Sequence, residues 1–519
     1  MAERKISTIY KWLFLFIFVS MFFSDLIVIK QGGILGQLAV LGAFVYLLVL
    51  LFEKKQVVIR ETFKSHISLV FSLFLTVLVI SFFVSDISWS IEFKNEQPLL
   101  KFVKQFISIL VWAGVFTIPI HFIRSGYLKT DWPKWIFFVY YLLLIIGSVE
   151  WVLFLVDKEI QVKYSSLFHS IFPSPYTNVY TWFIDYPRFR LVEGEPVHTS
   201  VALQFFAFLF IVVYAMYPNN QKYRIMASTS IVVAVVFNFW TFSRSGYLGM
   251  LLILLVFAAY LITEKFNNKK QLILGSTLIL IVFQTGVTFP FMGDSVVSYF
   301  NKRFNTNLID KNIDTTNIAA ETDGTESTVA ESTNNTDLPA GEPATSGINS
   351  VTEPVPIAQN EMSNNTRAIS AFMSLDMFKD SPFFGMGWGQ YGFYFARYFK
   401  PYEPLGANNY EFIMYNDPND EHFWPEQHSF LLRLISETGL LGTLTFLGIL
   451  ICIYWPALRH LRTYRKSRTS RMTVLISLSS GVILAQFLLI MSGLNLLYLP
   501  FLFGLVYWLV RYLNIDIQP

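Results

Sequence analysis

The chain is poor in charge and nearly devoid of cysteine. Asp, Glu, Lys and Arg make up 14% of its 519 residues, where a soluble globular chain carries about 25%. One cysteine, Cys452, excludes an internal disulfide framework. So little charge cannot cover a composition that is 54% hydrophobic and 17% aromatic with a mean hydropathy of +0.47. A water-soluble protein is excluded, and the lipid bilayer becomes the expected solvent. Neither sign of charge dominates, since 39 basic against 36 acidic residues leave +3. No nucleic-acid partner is expected, and the sign of the charge has to be read loop by loop. The N-terminal MAERKISTIYK has the basic character of a signal-peptide start. The apolar run behind it is too long, however, and no small-residue cleavage site ends it, so a retained first span is expected.

What the chain does have is long apolar runs. A helix needs about 20 mostly apolar residues to cross the hydrocarbon core, and that length fits near 12–29, 34–52, 67–84, 105–122, 135–156, 200–217, 225–242, 247–263, 271–289, 438–455, 472–492 and 495–511. The expected fold class is an all-α polytopic membrane protein of about 12 transmembrane helices. With the N-terminus inside, the inner segments hold more than half of the 39 Lys and Arg. Their acids are Glu3, Glu53, Glu61, Asp131, Glu264 and Asp516. RHLRTYRKSRTSR, between the tenth and eleventh spans, is the most basic of these segments. By the positive-inside rule both termini are expected in the cytoplasm.

The longer connections then fall outside, at 85–104, 157–199 and 290–437. This divides the chain into 1–289 with spans one to nine, the large outer loop 290–437, and 438–519 with the last three spans. Within the large loop, 305–365 is rich in Thr, Asn, Glu, Ser and Pro with almost no aromatics. Such a composition buries too little apolar surface to offset its ordering entropy, so a disordered insert is expected there, with structure resuming at 366.

Four arginines cluster in or beside these outer segments. Arg244, in FNFWTFSRSGYLGM, sits where two spans are joined by almost nothing. Snorkelling to lipid headgroups is its plainer role, but an ionisable group at the edge of an apolar span often faces a cavity or pathway. Arg188 and Arg190 stand in DYPRFRLVEGEPVHTS, a few residues before the sixth span. Arg367 opens TRAISAFMSLDMFKD, whose Ile369, Phe372, Met373, Leu375 and Met377 fit a broad apolar face on a helix lying at a membrane surface. Arginine grips phosphate oxygens through a fixed fork of donors, so the set suits a phosphate or pyrophosphate carried on a lipid.

His428 stands at a helix start behind Pro425. Histidine can take or give a proton near neutral pH, although at a helix start it more often serves only as a hydrogen-bonding group. Arg433 and Glu437, four apart, read as an intrahelical ion pair that needs no function. GWGQYG satisfies G-x-G-x-x-G, but with no strand before it and no helix expected after it, it reads as a glycine-rich turn. DPNDEHFWPEQH carries Asp417, Asp420, Glu421, His422 and His428 without any zinc spacing, so no metal is expected. Asp25 and Glu150 fall near the ends of spans and carry no mechanism by themselves.

Taken together, the EGEPVHTS loop, the TFSRSG turn, the amphipathic TRAISAFMSLDMFKDSPFFGMGWGQY and the HSFLLRLISETGLLG segment resemble the bacterial O-antigen ligase and Wzy-type polysaccharide polymerase superfamily, over roughly 180–250 and 366–455. The resemblance implies a GT-C-like, metal-independent, inverting glycosyltransferase without a cofactor. Its donor would be undecaprenyl-pyrophosphate-linked oligosaccharide and its acceptor a glycan, at the outer face of the cytoplasmic membrane. It implies that Arg190, Arg244 and Arg367 hold the donor pyrophosphate, with Arg188 beside them, and that His428 activates the acceptor. Glu195 resembles an acidic residue of polymerase members. Chain-length regulator and flippase proteins are the partners such a polymerase would have. Ligation to lipid A core or protein is the alternative within the superfamily. A transporter or flippase is the alternative outside it, against which stands a longest loop that is outer and follows span nine, where carriers built of two six-span halves place an inner central loop.

Overall fold

A computed structural model describes residues 12–22, 38–52, 66–124, 132–156, 160, 163–164, 189, 196–241, 243–263, 359–406, 410–417, 424–463, 467–491 and 496–515. The chain falls into two compact units, 1–287 with 365–519, and Thr288–Asn364. Of the second, only 359–364 are described. The regular elements among the described residues are all helices, with no strand beyond an isolated bridge between Phe93 and Glu96. The first helix, α1, covers 12–20. It is followed by α2 (Leu38–Phe52), α3 (His66–Val84), α4 (Pro98–Arg124), α5 (Trp132–Val156), α6 (Pro196–Met216), α7 (Gln221–Trp240) and α8 (Arg244–Thr263). Then come α9 (Gln359–Asp380), α10 (Tyr391–Phe399), α11 (Phe430–Leu461), α12 (Arg468–Ile490) and α13 (Tyr498–Ile515).

Among these, α3 to α8, α11 and α12 are long and apolar enough to cross a membrane. With no water in the hydrocarbon to satisfy backbone groups, a helix is the conformation such runs must take. Ten of the twelve sequence-predicted spans overlap a described helix along most of their length; the run at 12–29 is described only over 12–22, helical to 20, and the run at 271–289 lies outside the described residues. Breaks fall where polar side chains can take over helix-end donors. Asn220 accepts the Tyr223 N–H at 3.2 Å, Ser429 the Leu432 N–H at 3.3 Å, and Ser467 the Ser470 N–H at 3.1 Å.

The bundle is organised around α6. Of its apolar stretch 94% is buried, against 28–61% for the other membrane-length helices, so it is sheathed by protein while its neighbours keep a side for lipid. Helices α7, α8, α12, α5 and α13 pack on it. Phe205, Phe206 and Phe210 build an aromatic centre with Phe18 and Phe22 of the N-terminal segment, Tyr140 of α5 and Tyr498 of α13. Phe22 and Phe206 stack at 4.6 Å, and Tyr140 meets Phe210 at 4.9 Å.

A second apolar cluster covers one end of the bundle, here termed the cap end. Ile369, Met373 and Met377, four apart on α9, are buried in it with Tyr391, Phe395 and Phe399 of α10 and with Phe412 and Tyr415. Phe372 and Leu375 of α9 instead stand 52% and 41% exposed. A row of tyrosines spaced by four ties these pieces together. Tyr394 donates to Asp86 at 2.5 Å, Tyr398 to Asp380, and Tyr402 to Asp376 at 2.5 Å. Lys379, at 2.7 Å, and Tyr402 hold the Asp376 carboxyl below its ordinary range. The same bond pushes the Tyr402 phenol up to about 12.

The cap is spliced into α11 at a break in that helix. Gly439 has φ 61°, ψ −159°, a conformation that favours glycine and interrupts the ladder. The turn before α10 supplies replacement partners. Leu440 N–H donates to the Pro382 carbonyl at 2.8 Å and Leu441 N–H to Phe383, while Met386 and Gly387 N–H donate to the Ser436 and Glu437 carbonyls. The approach is so close that a Cβ on Gly385 (φ 70°) would lie 2.3 Å from the Glu437 carbonyl carbon. The Glu437 side chain completes the splice, accepting Gly389 N–H at 2.9 Å, Tyr391 N–H at 3.2 Å and Arg433 Nε at 3.1 Å. The sequence-predicted pair Arg433–Glu437 therefore forms, but buried, with side chains 8% and 2% exposed, and Arg433 lies 4.8 Å over Trp388. GWGQYG is a turn, with positive φ at Gly387 and Gly389. The expectation of no helix after it is corrected by α10, whose buried Tyr391, Tyr394, Phe395, Tyr398 and Phe399 follow a 3.6-residue period.

Two outcomes follow. Glu437→Ala removes the carboxylate that meets buried Arg433 and the acceptor of the Gly389 and Tyr391 N–H groups, and should cost about 3–5 kcal/mol, read as a lowered thermal midpoint in detergent; an unchanged midpoint would show that the splice does not depend on this carboxylate. For the tyrosine row, the lowered Asp376 pKa gives stability present above about 3.8 and lost as pH falls through its folded value. The raised Tyr402 pKa gives stability present below 10 and lost as pH rises toward about 12. The difference in tyrosinate absorbance between the wild type and Tyr402→Phe should titrate near 12; a midpoint at 10 would remove the bond.

Candidate active site

The residues singled out in the sequence meet the structure unequally. Arg188, Arg190 and Glu195 lie outside the described residues. Phe189, between the two arginines, is described: it is fully buried, packs 4.5 Å from Phe237, and donates its N–H to the Trp240 carbonyl at the end of α7 at 2.8 Å. Arg244 is the first residue of α8. Arg367 is exposed in the early turns of α9, and His428 is half-buried just before α11. Asp420, Glu421 and His422 fall outside the described residues. Among the described residues no group of three His, Cys, Asp or Glu could hold a metal ion.

The turn carrying Arg244 is held by a buried polar cluster. Thr241 and Ser243 shape the link between α7 and α8: Thr241 Oγ1 donates to the Asn238 carbonyl at 2.7 Å, and Ser243 Oγ accepts Gly246 N–H at 3.2 Å. Three carboxamides then converge on the first turn of α8. Asn238 of α7 donates to the Gly246 carbonyl at 3.1 Å and Gln204 of α6 to the same carbonyl at 3.3 Å, while Gln486 of α12 donates to the Ser245 carbonyl. Ser200 of α6 donates to Asn238 Oδ1 at 2.6 Å. Gly246 is required for this closeness, because a Cβ there would lie 1.9 Å from Ser200 Oγ.

His428 is held from two sides. On the bundle side, Ser429 Oγ donates to the Leu488 carbonyl at 2.8 Å, and Phe430 N–H to the Met491 carbonyl at 2.7 Å, at the end of α12. On the cap side, Gln427 Nε2 donates to the Ser370 carbonyl of α9 at 2.8 Å and to Ser374 Oγ. Ser370 and Ser374 follow Arg367 by three and seven residues, which places the three on one helical face. Aromatic packing stiffens the loop before it. Trp424 meets Phe93 and Phe393 at 5.6 and 5.1 Å, Lys101 Nζ lies 3.8 Å over its ring, and Gly392 allows the indole to approach.

The hydrogen bonds thus gather three of the predicted residues at the cap end. The Arg244 turn and the His428 turn both hang on the last residues of α12, and the helix that carries Arg367 is pinned next to His428. Sequence reading missed Ser200, Gln204, Asn238 and Gln486. Their signal was visible as polar side chains within long apolar runs, two of them four apart, and such residues usually face the bundle interior.

Residues 229–447 match the family model described as O-antigen ligase. The matched stretch contains Arg244, Arg367, His428 and the Gly385–Gly389 turn, and it bears out the resemblance drawn from the motifs. No curated protein matches the chain. The match supports a polysaccharide-related membrane enzyme of the ligase and polymerase type, working on lipid-linked glycan.

Gln427 is the bolt between α9 and the His428 loop. Gln427→Ala should speed hydrogen exchange at amides of 367–376 and 428–432 while leaving α6 protected. Equal exchange in both proteins would mean that the cap is held there by other contacts.

Proposed function

We propose that the chain polymerises undecaprenyl-pyrophosphate-linked oligosaccharide repeat units at the outer face of the cytoplasmic membrane, as a metal-independent, inverting glycosyltransferase. Both termini lie inside on this reading, and the cap end faces outward. The observation that carries it is the suspension of the Arg244 and His428 turns from one helix end, within a stretch that matches the O-antigen ligase family. Arg244 and Arg367, with Arg190 and Arg188, hold the pyrophosphate, and Glu195 lies toward the sugar.

The chemistry is a displacement at the anomeric carbon. The acceptor hydroxyl oxygen forms a bond to that carbon as the bond to the pyrophosphate oxygen breaks, and the electron pair leaves with the pyrophosphate. Negative charge grows on the leaving group, where pre-aimed guanidinium donors stabilise the transition state more than the ground state. The hydroxyl proton passes to His428, a group suited to general-base work near neutral pH. Chain-length regulator and flippase proteins would deliver donor and limit product length. Ligation to lipid A core or protein is the second reading, favoured by the description of the matching family.

Incubation of the purified protein with lipid-linked repeat units alone, and products resolved by size, tests the proposal. A ladder of longer lipid-linked glycans is expected, persisting in excess chelator and reduced about 100-fold or more by Arg244→Ala and by His428→Ala. Donor consumed only when lipid A core or a protein is added would move the assignment to ligation. Donor left untouched with every acceptor would overturn the enzyme reading in favour of a transporter.

A further inference from the structure

The first turn of α8 receives more hydrogen bonds than a helix needs. Inside a helix the carbonyls of residues 245 and 246 already have N–H partners four residues on, yet they also accept from Gln486 on α12 and from Asn238 and Gln204 on α7 and α6. The added donors therefore satisfy no orphan group. They fix where the turn lies relative to three other helices. Gln486 stands out because it is 8% exposed within GVILAQFLLI, the otherwise apolar last part of α12, where a buried carboxamide is costly unless bonded and an aliphatic side chain would pack at lower cost. Gly249 makes room for it: a Cβ there would lie 2.2 Å from Gln486 Nε2.

The same helix end serves the other half of the site. Leu488 and Met491, which accept from Ser429 and Phe430, follow Gln486 by two and five residues, or about 3 and 7.5 Å along the axis at 1.5 Å per residue. We propose that Gln486 is a positioning residue of the site: its bond to the Ser245 carbonyl fixes Arg244 at a set separation from His428, with the end of α12 as the common ruler. The inference rests on the function proposed above, because the separation matters only if one residue holds the leaving group and the other the attacking hydroxyl. A misplacement of about 1 Å between such groups can cost on the order of 100-fold in rate.

The test has a structural arm and a kinetic arm. In a Cys452→Ser background, spin labels at Leu248, an exposed residue one turn into α8, and at Glu426, an exposed residue two before His428, should give a narrow distance distribution. Gln486→Met, which keeps length and loses the donor, should broaden or shift it, and an unchanged distribution overturns the inference whatever the turnover. In the kinetic arm, Gln486→Met should lower donor turnover at least tenfold and raise the donor KM, with the pH profile unmoved. It should add nothing to the loss in Arg244→Ala, since the two act as one unit; losses that multiply overturn the inference as well. Gly249→Ala, which displaces the carboxamide by its Cβ while favouring the helix, should reproduce both effects and stands in if Gln486→Met does not fold. A wild-type protein that turns over no lipid-linked glycan overturns the function reading alone, and the distance measurement still decides the role of Gln486.

Discussion

The Glu437 carboxylate is the point on which the cap end depends. Its oxygens are shared among Arg433 and the N–H groups of Gly389 and Tyr391, so one side chain joins helix α11, the glycine turn and the start of α10. A buried ion pair is weak evidence of stability by itself, because desolvation offsets most of the attraction. Here its yield is geometric. It holds the turn against the break at Gly439, where backbone groups of the turn stand in for the interrupted helical ladder. With the bonds from Trp388 N–H to Ser81 and from Gln390 to the Pro98 carbonyl, that splice fixes the direction in which α10 leaves the bundle and brings the tyrosine row to its carboxylates on the loop after α3 and on α9.

The site region uses a different device at each of its edges. On the bundle side, carboxamides from α6, α7 and α12 reach main-chain carbonyls of α8, at positions kept bare by Gly246 and Gly249. On the cap side, Gln427 reaches across to a carbonyl and a hydroxyl of α9. In both, the donor is a neutral amide and the acceptor is mostly main chain. Low dielectric strengthens such bonds without the solvation cost of a buried charge. The residues proposed to meet substrate are thereby positioned through their backbones.

Much of this architecture was legible in the sequence, for a physical reason. Apolar runs must become helices in lipid, so the span from Val197 to Met216 or from Arg468 to Ile490 needed only a count of residues. The Arg433–Glu437 pair was legible from its spacing, but its burial was not, because its partners Gly389 and Tyr391 lie about 45 residues earlier in the chain. Helix α10 was missed because the G-x-G-x-x-G pattern drew attention from the aromatic period starting inside it. Arg244, Arg367 and His428 were found as anomalies of charge and position. Gln486 was not, since a carboxamide in an apolar run gives no hint of which carbonyl it will meet.

The sheathing of α6 bears on how the molecule is made. Its lining is completed by α12 and α13, and α12 begins about 250 residues after α6 ends. At about 5–20 residues per second of synthesis, the central helix waits on the order of 10 to 50 s before its cover exists. Through that interval the sides of α6 that α12 and α13 later cover, including the side of Phe205 that meets Tyr498, border lipid or the insertion machinery in place of protein. Biogenesis of the bundle is thus a long-range closure: its innermost helix is among the earlier ones synthesised and among the last to be enclosed.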